Sequence, residues 1–195
     1  AGNTVVLKPS EYSAHTSALL AEIVKAVFDE DHVTVVQGDA AVSQEFLKHQ
    51  WDYIFFTGSV AVGKLVAQAA AQHLTPTTLE LGGKSPCIVD ATAPLDLSAR
   101  RIVWGKFLNA GQTCIAPDYV LVHQSVYDDF LKALKAAIES AYSKAADQSE
   151  DYGRLIHAKH IERMKGFISE ASVYYGGETN AEKRYVQPTI LTEVS

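Results

Sequence analysis

Two cysteines in 195 residues are too few for a disulfide framework. Cys87 and Cys114 therefore read as free thiols, and the cytoplasm, a reducing compartment, is the expected location. Basic clusters are lacking too: no run of lysine and arginine is longer than the pair Lys183-Arg184, the net charge is −6 and the pI is about 5.6. Such a chain offers none of the electrostatic footprint that nucleic acid or an anionic lipid surface recognises, so small-molecule chemistry is favoured. No apolar stretch approaches the roughly 18 residues of a membrane span, and the N-terminus lacks a charged-then-apolar leader pattern. Internal repeats and low-complexity segments are missing as well. What remains is an ordinary globular composition, 47% hydrophobic and 21% charged, able to bury a core as one domain or as two halves.

The order of apolar runs gives the fold class. Strands are predicted at 4–7, 33–36, 53–56 and 77–81, alternating with helical patterns, which is the signature of an α/β chain with βαβ units and a parallel sheet. Leu19, Leu20, Ile23, Val24, Val27 and Phe28 recur at helical spacing and predict an apolar stripe on one helix face. Shorter helices follow at about 40–49 and 60–73. After Gly82-Gly83, the expected boundary between two α/β units, come a strand at 87–89, a helix near 96–110, a strand at 119–122 and an amphipathic helix near 127–142. Phe130, Leu131, Leu134, Ile138 and Tyr142 make the core face of that helix. Residues 143–152 read as a polar surface loop, and the next helix carries Ile161, Met164 and Ile168. The last strand, 186–191, is interrupted by Pro188, which suits an edge. Trp51 and Trp104 read as packing aromatics. The opening Ala1-Gly2-Asn3 leads straight into a strand without a cap, as expected of a segment cut from a longer chain.

Four segments can carry chemistry. Strand 53–56 runs into Thr57-Gly58-Ser59-Val60-Ala61-Val62-Gly63-Lys64-Leu65 and then a helix. Such a turn presents unpaired N–H groups and a positive dipole end to an anion. The spacing nearly makes a phosphate-binding loop of the nucleotide-triphosphate type, but Leu65 cannot supply the hydroxyl that holds magnesium, and Gly-x-Gly-x-x-Gly is absent. Lys8-Pro9-Ser10-Glu11 is either a helix start capped by Ser10 or Ser13, or a pair of charges for ligand hydroxyls. Cys114 lies among small residues, Asn109-Ala110-Gly111-Gln112-Thr113-Cys114-Ile115-Ala116-Pro117, where a nucleophile has access; Cys87, in an apolar strand, reads as a small buried hydrophobe. Glu80 in Thr78-Leu79-Glu80-Leu81 either faces solvent by strand alternation or sits partly buried, an environment suited to a general base. His157 and His160 are three apart, but no third ligand at metal-site spacing accompanies them.

The Cys114 run and the run Glu80-Leu81-Gly82-Gly83-Lys84-Ser85-Pro86 resemble the two active-site signatures of the aldehyde dehydrogenase superfamily. Gly-Gln-Thr-Cys-Ile-Ala-Pro-Asp-Tyr is most similar to the class 3 branch. The resemblance extends to Tyr152-Gly153-Arg154-Leu155-Ile156 and Val186-Gln187-Pro188-Thr189-Ile190-Leu191, so it covers essentially the whole chain as the central part of a family chain. It implies part of a Rossmann-like NAD(P)-binding domain over 1–81 and a thiol-bearing catalytic α/β domain over 82–195. It also implies oxidation of an aldehyde to a carboxylic acid, with Cys114 as nucleophile and Glu80 as base. Gly58, Ser59, Val60, Gly63 and Leu81 would meet the cofactor, and Lys8 and Glu11 its adenosine ribose. Glu11 tilts preference weakly from NADP to NAD by repelling a 2′-phosphate. No metal is implied, and a homodimer is. Two family features are missing: the upstream asparagine that completes the oxyanion hole, and the downstream Glu-x-Phe-Gly-Pro motif whose glutamate holds the nicotinamide ribose. The competing readings are a nucleotide-phosphate-binding module using Gly58 to Lys64, and a non-catalytic domain derived from a dehydrogenase.

Overall fold

A computed structural model describes residues 2–194. The chain divides into two compact units, Ala1–Leu81 and Gly82–Ser195. In the first, strand β1 (Val5–Leu7) is followed by a 3-10 turn, Glu11–Ser13, and helix α1 (Ala14–Val27). Ser10 caps that turn, its Oγ accepting from Tyr12 N, while Ser13 and Ser17 donate their hydroxyls back to the Ser10 carbonyl, each at 3.1 Å. Strand β2 (Val33–Val35) pairs in parallel with β1, Val5 opposite Val33. Helix α2 (Ala40–Phe46) starts at Asp39, whose Oδ1 accepts from Ala41 N and Val42 N. Strand β3 (Ile54–Thr57), helix α3 (Val60–Ala71) and strand β4 (Thr77–Glu80) form a parallel βαβ unit, with Ile54 opposite Thr77 and Thr57 opposite Glu80.

The second unit opens with strand β5 (Ser85–Val89), helix α4 (Leu95–Phe107) and strand β6 (Pro117–Val122), again parallel. The register shifts there: Ser85 faces Pro117 but Pro86 faces Tyr119, which leaves Asp118 as the extra residue of a bulge. Helix α5 (Tyr127–Tyr142) lays the predicted face, Phe130, Leu131, Leu134, Ile138 and Tyr142, into the core with Val89, Ala99 and Val103. Helix α6 (Lys159–Ser169) buries Ile161, and strand β7 (Ser172–Tyr175) pairs antiparallel with β10 (Ile190–Thr192). Between them a hairpin with a four-residue loop joins β8 (Thr179–Asn180) to β9 (Tyr185–Val186).

Several expectations change. The first unit holds two parallel strand pairs, β1–β2 and β3–β4, and not one continuous sheet among the described residues. Of the α1 stripe only Val24 is buried; Leu19, Ile23, Val27 and Phe28 are exposed, because nothing in the described unit covers that face. Trp51 does pack, 4.5 Å from the Phe46 ring, but Trp104 is 68% exposed. Pro188 is fully buried, and it breaks the predicted strand into β9 and β10 because it has no N–H for a ladder. The loop after α5 is not a solvated surface throughout: Ala146 and Tyr152 are buried, and Tyr142, Tyr152, Tyr185 and Phe107 meet edge to face. The strands β7 and β8 are additions to the predicted set.

Burial of Phe130 and Ile138 carries the second unit, since burying a side chain of this size contributes about 1.5–3 kcal/mol. Phe130→Ala should lower its unfolding free energy by about 3–5 kcal/mol in urea titrations followed by circular dichroism. Ile88→Ala, at a strand position 78% exposed, should cost less than about 1 kcal/mol.

Candidate active site

Glu80 ends β4 and is exposed, the solvent-facing one of its two expected placements. Its backbone carbonyl accepts from Gly58 N at 2.9 Å, which extends the β3–β4 ladder by one bond and ties the glycine turn to the carboxylate-bearing residue. Ser59 then caps α3, its Oγ accepting from Val62 N at 3.3 Å, and exposed Val60 is the first helical residue. One turn later Gly63 is buried, and a Cβ there would lie 2.8 Å from Leu81 Cδ2. Gly58, Ser59, Val60, Gly63, Glu80 and Leu81 thus converge at the carboxyl end of β3 and β4, where a helix N-terminus concentrates positive potential.

Lys8 and Glu11 lie at the carboxyl end of the other strand pair. Half-buried Lys8 donates to Gly38 O at 2.9 Å and Pro9 O at 3.0 Å, and its ammonium is 3.5 Å from the Glu11 carboxylate. Glu11 lines a groove of about 260 Å³ together with Ser10, Ala14, Gln37 and Asp39. The two alternatives for this segment coexist, because Ser10 caps the turn while Glu11 lines the groove and pairs with Lys8.

Cys114 is exposed on the turn between α4 and β6, whereas Cys87 is half-buried in β5. The chain reaches Cys114 through an unusual backbone: Asn109 (φ 53°), Ala110 (φ 54°) and Gly111 (φ 79°) are all left-handed. Glycine takes that conformation freely, but a residue with a Cβ gives up roughly 1–2 kcal/mol. From the other side the Gly82-Gly83 loop presses on Cys114, since a Cβ on Gly83 would lie 3.0 Å from the Cys114 carbonyl. Lys84, the next residue, pairs with the bulge residue Asp118. Burial pushes the Lys106 ammonium at the end of α4 below the usual lysine range, with Lys84 adding to the shift and Asp118 opposing it.

Sequence reasoning missed three residues that shape this turn. Gln112 Nε2 donates to Asn109 O at 2.9 Å and to Arg154 O at 3.2 Å, and its Oε1 accepts from Ile156 N at 2.8 Å. Arg154 donates to the carbonyls of Tyr152, Gly153 and Asp147 and lies over the Tyr185 ring. Asp118 lay just ahead of the strand predicted at 119–122. The contacts that place Gln112 and Asp118 span distant parts of the chain, and only the quoted signature runs mark where they would meet.

The chain is similar to known proteins over its whole length. The model of the aldehyde dehydrogenase family matches residues 1–195. "Aldehyde dehydrogenase, dimeric NADP-preferring" from Rattus norvegicus is 50% identical over 194 residues, covering 100% of this chain and 43% of the relative. "Aldehyde dehydrogenase family 3 member A2" from the same species is 45% identical, covering 100% and 40%. Among solved structures, the substrate-bound state of Staphylococcus aureus AldH is similar at a TM-score of 0.93 and 42% identity, covering 100% of this chain and 43% of that one. A Mycobacterium tuberculosis aldehyde dehydrogenase complexed with NAD+ has a TM-score of 0.90 at 32% identity, with 100% and 43% covered. The chain spans less than half the length of these relatives, and it belongs to the aldehyde dehydrogenase family.

Proposed function

We propose that the protein containing this chain oxidises an aldehyde to a carboxylic acid with NAD(P)+, using Cys114 as nucleophile and Glu80 as base. The observation that carries this reading is the exposed Cys114 thiol on a left-handed turn that the Gly83 loop and the Gln112 amide hold in place. A solvent-facing thiol on a fixed backbone can be approached by a carbonyl carbon, which a thiol inside a strand cannot. As its thiolate, Cys114 forms a C–S bond to the aldehyde carbon, and the carbonyl electron pair moves to oxygen. The Cys114 backbone N–H stabilises that oxyanion. NAD(P)+, which the α3 start, Lys8 and Glu11 would hold, would supply the acceptor for the hydride that leaves this carbon. Glu80 removes a proton from the water that attacks the resulting thioester; the C–S bond breaks, the acid leaves and the thiolate returns.

The described residues suit a dinucleotide. The capped α3 start offers N–H donors and a positive dipole end for pyrophosphate, and close packing of Gly63 on Leu81 brings the helix near the strand ends. Glu11 supplies an acceptor for ribose hydroxyls at the groove, and Lys8, 3.5 Å from it, a donor. NAD is weakly favoured, because an exposed carboxylate repels a 2′-phosphate; the rat relative's name points the other way for that protein. We further propose a homodimer in the cytoplasm, in line with the dimeric name of the rat relative and the free thiols. No helix among the described residues is long and apolar enough to cross a membrane.

In the protein containing this chain, Cys114→Ala should abolish aldehyde oxidation and ester hydrolysis while NAD affinity, read by fluorescence titration, stays within about threefold. Retained acyl transfer would remove Cys114 from the nucleophile's role. Glu80→Gln should give a rapid burst of NADH followed by slow turnover in stopped-flow traces, since the amide cannot take a proton from water. Normal steady-state turnover would assign the base elsewhere. Glu11→Ala should weaken NAD more than NADP; equal weakening would mean that only the local helix start had been damaged.

A further inference from the structure

We infer that Gln112 is the positioning residue of the Cys114 turn: its side-chain amide holds three left-handed residues in place and so fixes the backbone that presents the thiol. The inference rests on Cys114 being the nucleophile. Of the three left-handed residues only Gly111 adopts the conformation freely, while Asn109 tolerates it and Ala110 does not. The turn's internal bonds are long, 3.2 Å for Gln112 N to Asn109 O and 3.3 Å for Asn109 Nδ2 to Gln112 O. A strained segment persists only where its surroundings over-determine it.

The Gln112 side chain supplies that determination. Its donation to Arg154 O and acceptance from Ile156 N reproduce the bonds that a residue in a parallel ladder makes around a partner, here Leu155. The same Nε2 also reaches Asn109 O, inside the strained turn, so one planar amide links the turn to a segment over 40 residues away. That segment is itself rigid. Leu155 is buried and donates its N–H to Arg184 O at 2.8 Å, Tyr152 Oη donates to Val186 O at 3.0 Å, and Arg184 donates to Ile156 O. Gly153 lies beside the turn, where a Cβ would make an ordinary contact with Ala110 N at 3.6 Å. Only glutamine combines donor, acceptor and reach: glutamate keeps the bond from Ile156 N but cannot donate, and alanine keeps none.

The test uses the protein containing this chain, amide exchange read by NMR, and acylation of Cys114 by p-nitrophenyl acetate. In Gln112→Ala the Ile156 amide should exchange at least tenfold faster, while Gln112→Glu keeps it protected and the Leu155 amide is unchanged in both. Cys114 acylation should fall at least tenfold in Gln112→Ala. Adding Ala110→Gly should restore at least threefold of that loss, because glycine holds the turn without the amide. Unchanged Ile156 exchange, acylation within twofold of the parent, or no recovery with Ala110→Gly would each overturn the inference. Exchange of the buried α5 amides reports whether Gln112→Ala is folded. If it is not, Gln112→Glu decides: a comparable loss of acylation with Ile156 still protected supports the strut, and parental acylation refutes it. Acylation that is absent from the parent or survives Cys114→Ala counts against the nucleophile reading, and the Ile156 exchange comparison then decides the strut by itself.

Discussion

Left-handed backbone at Asn109, Ala110 and Gly111 is the constraint around which the thiol-bearing unit is organised. Helix α4 cannot continue through it, so the chain reverses after Phe107 and enters β6 within ten residues, with Cys114 on the outside of the reversal. A conformation that a free peptide would leave must be held by parts of the fold already fixed for other reasons. Here those parts are the Gly82-Gly83 loop on one side and the Tyr152–Ile156 segment on the other, itself anchored by the aromatic cluster beneath α5. Presentation of the thiol is therefore a tertiary property, and the core face of α5 contributes to it without touching it.

Under the proposed reading the first unit meets a different problem, that of accepting an anionic ligand with nine acidic residues against four lysines of its own. Lys8 is already engaged with two carbonyls and with Glu11, so its charge is committed before any ligand arrives. Attraction for phosphate is left to backbone dipoles at the start of α3, which do not depend on the protonation state of any side chain. Glu80 serves the same end of the unit twice, its main chain fixing Gly58 and its side chain remaining in solvent.

Much of this was legible in the sequence where a local rule applied. The period of α5, the β-branched strand runs and the Gly58-Ser59 turn are short-range signals, and each appears where expected within a few residues. The thiol and its small neighbours were equally visible. What failed to show was whatever depends on distant partners. Helix α1 has a periodic apolar stripe, but periodicity does not say what covers it, and most of that stripe is exposed. Pro188 suggested an edge, yet its ring is buried because loss of one ladder bond is compatible with packing on every side. Gln112 carried no signal of its own beyond its place beside the cysteine, since its three partners are set by the fold.

The Asp118 bulge has a consequence for how this site tolerates change in length. Beyond it, Val120 faces Cys87 and Val122 faces Val89, all on the covered side, while Tyr119 and Leu121 point outward with Pro86 and Ile88. The additional residue acts as a phase shifter, inserting half a strand period between the thiol-bearing turn and the core alternation. Removing Asp118 would set Pro117 and Tyr119 opposite Ser85 and Pro86 in an unbroken ladder, so β6 beyond would keep its faces and the half-period shift would fall on the turn that carries Cys114. The odd residue thus sets how the thiol-bearing turn enters β6 and leaves the valine alternation untouched.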